Sequence, residues 1–258
     1  MLKVENLSFS YGANPVLKNV DFCVEEGEFV AVLGANGAGK STLFKVICGL
    51  EKPQKGMVLL SGKPLGGYSP SELAKIRSAL MQDGEFNFES SVLDFVLLGR
   101  YARGGFFASK EDIFIAKNAL SAVGMSGFEG RVFTRLSGGE RRRVELARAL
   151  CQIGACGRAG TLLMLDEPNS NLDPKNSNLA MSAVKKFADA KTSVLAILHD
   201  VNLASQHADK IALLKDGEIF AFGEPKCVLT SENLKFAYGA ENKIFEDGKN
   251  KYAVFLKE

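Results

Sequence analysis

Gly34-Ala35-Asn36-Gly37-Ala38-Gly39-Lys40-Ser41-Thr42 fits the pattern G-x-x-x-x-G-K-[ST] at every fixed position. Such a stretch is suited to holding a chain of phosphates. Glycines let backbone N–H groups converge on phosphate oxygens with no side chain in the way. A helix start adds unpaired N–H groups and the positive end of its dipole. Lys40 is expected to reach the β- and γ-phosphates, and the Ser41 hydroxyl to ligate Mg²⁺. The bland alternative is a glycine-rich strand-to-helix turn that binds nothing.

Four further groups bear on the same chemistry. Asp166 ends an apolar run and is followed at once by Glu167. In phosphate-loop NTPases the strand-end Asp helps hold Mg²⁺, and a neighbouring carboxylate can take a proton from the attacking water. The alternative is a turn with two solvated acids, which loses once a phosphate loop lies upstream. Ser137-Gly138-Gly139-Glu140 opens a helix, so Ser137 and the two glycines form a second anion-binding surface. Alone, it is a flexible helix cap. His199 ends an apolar run, where a polar ring needs a partner; its bland reading is a hydrogen-bonded core histidine. Tyr11 offers a ring to stack on a nucleobase or to pack at a turn, and the local sequence leaves both open.

Positioning these residues requires alternating strands and helices. Residues 28–33, 161–166 and 193–198 are short, continuous apolar runs that read as buried parallel strands. Residues 41–48 read as the helix after the phosphate loop. Residues 2–33 otherwise look like β-structure, and 56–62 and 78–82 are further strands. Ser69 before Pro70 marks a helix start. From about 83 to 157 the chain turns helical, with segments over 91–99, 110–123 and 138–152; Ile113, Ala116, Leu120 and Val123 are expected as a core face. The run Arg141-Arg142-Arg143 is expected to be a solvated helix face. Helices follow over 176–190 and 200–207, Asp216-Gly217 signals a hairpin, and short helices and strands close the chain.

Composition narrows the class. The 258 residues, 46% apolar and without Trp, suit one domain with a lobe and a substantial core. A net charge of +2 gives no electrostatic reason to expect a nucleic-acid partner. No run approaches the roughly 18–20 apolar residues that span a bilayer, and residues 1–6 are too polar for a signal peptide, so a cytoplasmic location is expected. The 5 cysteines are scattered with no C-x-x-C pair and read as buried reduced thiols.

Together these residues resemble the ATP-binding subunit of ABC transporters over essentially the whole chain, with the motifs in the family's order. Residues 34–42 match the Walker A loop, Gln82 the Q-loop, 136–140 the LSGGQ signature, and 162–167 the Walker B strand with its catalytic Glu167. Ser170-Asn171-Leu172-Asp173 looks like the D-loop, His199 like the switch histidine, and Tyr11 like the adenine-stacking aromatic. The resemblance implies an α/β P-loop NTPase cassette in a single ATP-binding domain. A RecA-like core would carry an N-terminal antiparallel β subdomain and an inserted α-helical signature lobe over about 83–157. It implies ATP and Mg²⁺ as cofactors, with Ser41, Gln82 and Asp166 around the metal. Glu167, His199 and Gln82 would act in catalysis. It also implies a head-to-tail homodimer, each ATP lying between the Walker A loop of one chain and Ser137, Gly138 and Gly139 of the other, near Asp173. Gln82 would sense nucleotide and face a transmembrane permease, placing the subunit on the cytoplasmic face of the cell membrane. Glu140 replaces the commoner Gln, and Asn169 stands where Thr is usual.

Residues 69–77, Gln82, Val92, Leu98-Gly99-Arg100, 199–204 and 223–234 look like the importer group for iron chelates, haem and cobalamin. The stretch 151–161, longer than usual, is a feature of haem-importer ATPases, whereas Tyr101-Ala102 replaces the Pro-His common in the group. The order of expectation is siderophore or haem, then cobalamin, with a substrate-binding protein as an indirect partner. The competing class is a soluble ABC ATPase of a non-transport assembly such as iron–sulfur cluster formation. A DNA-repair or translation ABC protein is disfavoured because the chain carries one compact cassette.

Overall fold

The computed structural model describes residues 1–82, 89–103, 107–154, 157–248 and 250–256. The chain divides into two compact units, Met1–Tyr68 with Leu195–Glu258, and Ser69–Val194. The first unit begins with β1 (Leu2–Tyr11), β2 (Asn14–Val24) and β3 (Phe29–Leu33), then α1 (Lys40–Ile47), β4 (Lys55–Leu60) and β5 (Lys63–Pro64). β1 pairs antiparallel with β2 and with β4, giving a sheet of order β2-β1-β4-β5. Its alternation is loose for a physical reason. Leu2 and Val4 are buried, but the register shifts around Asn6, whose φ is 47°, so the inward positions resume at Leu7 and Phe9.

In the second unit the order is α2 (Pro70–Ile76), β6 (Arg77–Leu80), α3 (Val92–Leu97), a 3-10 segment at Leu98–Arg103, α4 (Lys110–Ala122), α5 (Gly138–Ile153), β7 (Leu162–Asp166) and α6 (Pro174–Asp189). Ser69 caps α2 through a reciprocal box with Glu72, and Pro70 fills the first turn, where a missing N–H costs nothing. β6 and β7 are parallel, in register from Arg77 opposite Leu162 to Leu80 opposite Leu165. Residues just past their C-terminal ends, Gln82 and Glu167, therefore emerge side by side, the usual place for a ligand in an open α/β sheet. Around α5 the packing is dense. Phe95 stacks on Phe133 with ring centres 3.9 Å apart, and Gln152 bonds the carbonyls of Ala74 and Arg77.

β8 (Ser193–Ile197) begins in the second unit and ends in the first. The first unit then continues with α7 (Val201–His207), β9 (Lys210–Lys215), β10 (Glu218–Gly223), α8 (Pro225–Val228), α9 (Ser231–Tyr238), β11 (Asn242–Asp247) and β12 (Asn250–Phe255). β3 and β9 are parallel, and Asp216 and Gly217, with φ of 49° and 84°, make the tight turn that joins β9 to β10. Every residue of β3, β7 and β8 is buried, which is why each reads as an unbroken apolar run. Each large apolar side chain so buried contributes roughly 1.5–3 kcal/mol.

Some expectations shift. In α4 the buried residues are Ile115, Ala116, Ala119 and Leu120, with Val123 just beyond; Ile113 is only half-buried, so the core face is rotated from the expected one. Cys48 and Cys151 are buried free thiols as expected, but Cys23 is half-buried and Cys227 exposed. Cys156 and the expected helical onset at Asp83 lie outside the described residues. No helix among the described residues is long and apolar enough to cross a membrane.

Candidate functional site

The phosphate loop occupies the first unit, between β3 and α1. Gly34 is required by close approach: a Cβ there would lie 2.2 Å from the Leu214 carbonyl oxygen. Gly37, at φ 82°, has open space where a Cβ would lie. Gly39 takes the N-cap of α1 in a left-handed conformation and supplies no side-chain cap, leaving the first-turn N–H groups to a ligand or solvent. Lys40 is only 6% exposed, and its Nζ donates to the carbonyls of Gly34 at 2.7 Å and Ala35 at 2.9 Å. The loop thus holds a buried cation and an uncapped helix start, a donor set that fits a polyphosphate. Ser41 is exposed and Thr42 half-buried, while Asn36 is exposed and Ala35 and Ala38 frame the loop.

Two other candidates share this unit. Tyr11 ends β1 half in solvent, its ring edge-on to Phe9 at 4.8 Å. His199 lies two residues past β8 and is exposed, which corrects the core-histidine alternative: the apolar run ends at Leu198, and Asp200 then turns the chain by capping α7.

The second unit gathers the acids. Asp166 closes β7 and is 4% exposed, and Glu167 follows at φ 50°. Gln82 Nε2 donates to Glu167 Oε2 at 3.1 Å. Asp166 and Gln82 in this unit, and the Ser41 hydroxyl in the first, each offer a hard oxygen, the ligand type that suits Mg²⁺.

Ser137 caps α5. Its Oγ accepts from the Glu140 N–H at 3.3 Å and donates to Glu140 Oε2 at 2.8 Å, while its own N–H donates to the same carboxylate oxygen at 2.8 Å. The Ser137 backbone and hydroxyl hold the Glu140 carboxyl below the usual carboxylate range. Gly139 packs so closely that a Cβ would lie 2.9 Å from the Asn171 carbonyl oxygen. Ser137, Gly139, Arg143, Asn171 and Asp173 line one open groove of about 450 Å³, with Gly138 facing Asn171 beside it. Asp173 caps α6 through the Asn176 N–H at 2.8 Å, which holds its carboxyl low.

The arginine run is not a solvated face. Arg142 is 5% exposed, Arg141 bonds the Thr134 carbonyl, and Arg143 bonds those of Val123 and Gly124. Guanidinium forks reach carbonyls that a sequence reading cannot see, because they come from distant segments.

Comparison with known proteins adds the family. The model for the ABC transporter family matches residues 17–170. The hemin import ATP-binding protein HmuV of Pseudomonas putida is 41% identical over 241 residues, covering 93% of each chain. HmuV of Deinococcus radiodurans is 41% identical over 241 residues, covering 93% of this chain and 90% of its own. A metal-chelate type ABC transporter solved in an inward-facing conformation has a TM-score of 0.80 at 30% identity, covering 99% of this chain and 96% of its own. A dimeric bacterial ABC transporter cassette, MJ0796, has a TM-score of 0.75 at 28% identity, covering 87% of this chain and 99% of its own.

Proposed function

The chain belongs to the ABC transporter family, and from that premise we propose that it is the ATP-hydrolysing subunit powering import of an iron complex, haem first. The observation that carries the ATPase reading is the phosphate loop, with Lys40 buried among its carbonyls and α1 left without a side-chain cap. Haem as cargo is supported by relatives that are hemin import ATP-binding proteins and match along 93% of the chain. They favour transport over a soluble assembly.

In this reading residues 34–42 bind the phosphates and Tyr11 stacks on the adenine. Ser41, Asp166 and Gln82 would hold Mg²⁺, which when bound neutralises charge on the phosphates. Glu167 takes a proton at its carboxylate from the attacking water, and Gln82 orients that carboxylate. His199 faces the nucleotide as a further catalytic group. Ser137, Gly138, Gly139 and Asp173 serve the nucleotide held by the Walker A loop of a second copy. The 1–258 chain then acts as one cassette, with its helical lobe over about 83–157. The cassette works with transmembrane permease subunits on the cytoplasmic face of the cell membrane, and a substrate-binding protein delivers the cargo. The test is capture of Glu167→Gln from native membranes with ATP and Mg²⁺. A multi-helix permease is expected; recovery of soluble proteins alone contradicts transport.

A further inference from the structure

Arg142 lies one turn into α5, the helix that starts at Ser137, and its guanidinium is buried against Glu145 at 3.0 Å. The pair is nearly dry, with side chains 6% and 10% exposed. Its remaining donors all go to backbone. Nη1 donates to the Met81 carbonyl at 3.0 Å, Nη2 to the carbonyls of Asp166 and, at 2.8 Å, Glu167, and Nε also to Glu167 at 3.1 Å. One side chain therefore grips the residue before Gln82 and the residues that carry the two acids.

The grip falls where the backbone needs it. Glu167 has φ 50°, a left-handed conformation that residues other than Gly, Asn and Asp seldom adopt. Its carbonyl receives two N–H donors from Arg142. Such conformations persist only where surrounding structure over-determines them. Glu145, by pairing with Nη1, leaves the Nε–Nη2 edge of the guanidinium to the carbonyls.

We propose that Arg142, aligned by Glu145, is a positioning residue for hydrolysis: its fork fixes the backbone from which Glu167 and Gln82 project. The proposal rests on the reading of Glu167 as the base. Arg142 donates to Glu145 and to backbone carbonyls. It acts through the angle at which the Glu167 carboxylate meets Gln82, so its loss lowers kcat more than it changes binding.

Removing Arg142 alone strands the buried Glu145 carboxylate, so the test uses two variants with the full chain. Arg142→Gln/Glu145→Gln removes both charges together, and Arg142→Lys keeps the charge but not the fork. ATP turnover, the ATP KM and the thermal unfolding midpoint are measured for each, with Glu167→Gln as control. The expected result for both is a KM within about twofold of the unaltered chain and a kcat lower by roughly 10–100-fold, the scale of a misplaced catalytic group. Full kcat in a folded double variant, or full rescue by Arg142→Lys, overturns the proposal. Equal losses in kcat and stability, or failure of both variants to fold, assign Arg142 to structure alone and overturn it too. Near-normal turnover in Glu167→Gln instead overturns the base assignment, and the positioning role with it.

Discussion

Gln82 Nε2 lies 3.1 Å from Glu167 Oε2, a hydrogen bond that spans 85 residues of sequence. The parallel pairing of β6 with β7 brings the two together, since both residues leave the sheet at the same end. An amide donor on the carboxylate fixes one of its oxygens. The arrangement suits a general base.

Glu167→Gln is expected to keep ATP binding while losing at least about 100-fold in turnover, the usual scale of general-base catalysis. Paired titration calorimetry and phosphate-release assays read the two effects separately. Turnover near that of the unaltered chain would reject the base.

Gln82→Glu would set a second carboxylate against Glu167. Two like charges at hydrogen-bond distance cannot both ionise freely, so the pair retains a proton to higher pH. Because the base must be deprotonated, the acid limb of the kcat/KM profile should move upward in pH. An unmoved limb would show that the two side chains do not meet in the working enzyme.

Lys40→Ala should weaken ATP binding by roughly tenfold or more, as one charge-assisted hydrogen bond contributes about 1.5–3 kcal/mol. It also leaves the Gly34 and Ala35 carbonyls without the donor they have now. Calorimetry giving unchanged ATP affinity would remove Lys40 from the phosphate site.

Asp112 carries a linked pH prediction. The Arg100 guanidinium, 2.8 Å away, holds its carboxyl below the usual carboxylate range, helped by the Ser109 hydroxyl. A carboxyl depressed in the folded state stabilises above its unfolded pKa, and that stability is lost as pH falls through the folded value. Unfolding midpoints of the unaltered chain should therefore drop below about pH 4, and Asp112→Asn should be less stable at neutral pH but flatter across that acid range. Parallel acid profiles for the two would refute the linkage.

Much of the scaffold was legible because local pattern and tertiary burial agree. β3, β7 and β8 are buried on both faces, so their apolar runs needed no context. Ser69-Pro70 and Asp216-Gly217 carry their own stop and turn chemistry. Arg142 was illegible, since the carbonyls it bonds belong to residues 81, 166 and 167, and nothing near 142 announces them. The commitment of Ser137 to a capping box with Glu140 follows a local rule, S-x-x-E, yet the same serine also reads as an anion ligand. The rotation of the α4 face comes from Ile115 and Ala119 winning burial over Ile113, a choice made by the neighbouring helices.

Whether ATP hydrolysis by this chain drives uptake of an iron complex is tested directly in proteoliposomes that hold the captured permease with the cassette. Haem, supplied with its binding protein, should accumulate with ATP on the cassette side and not with the Glu167→Gln variant. Accumulation that is indifferent to ATP and to Glu167, or none for haem, siderophores and cobalamin alike, would contradict the account.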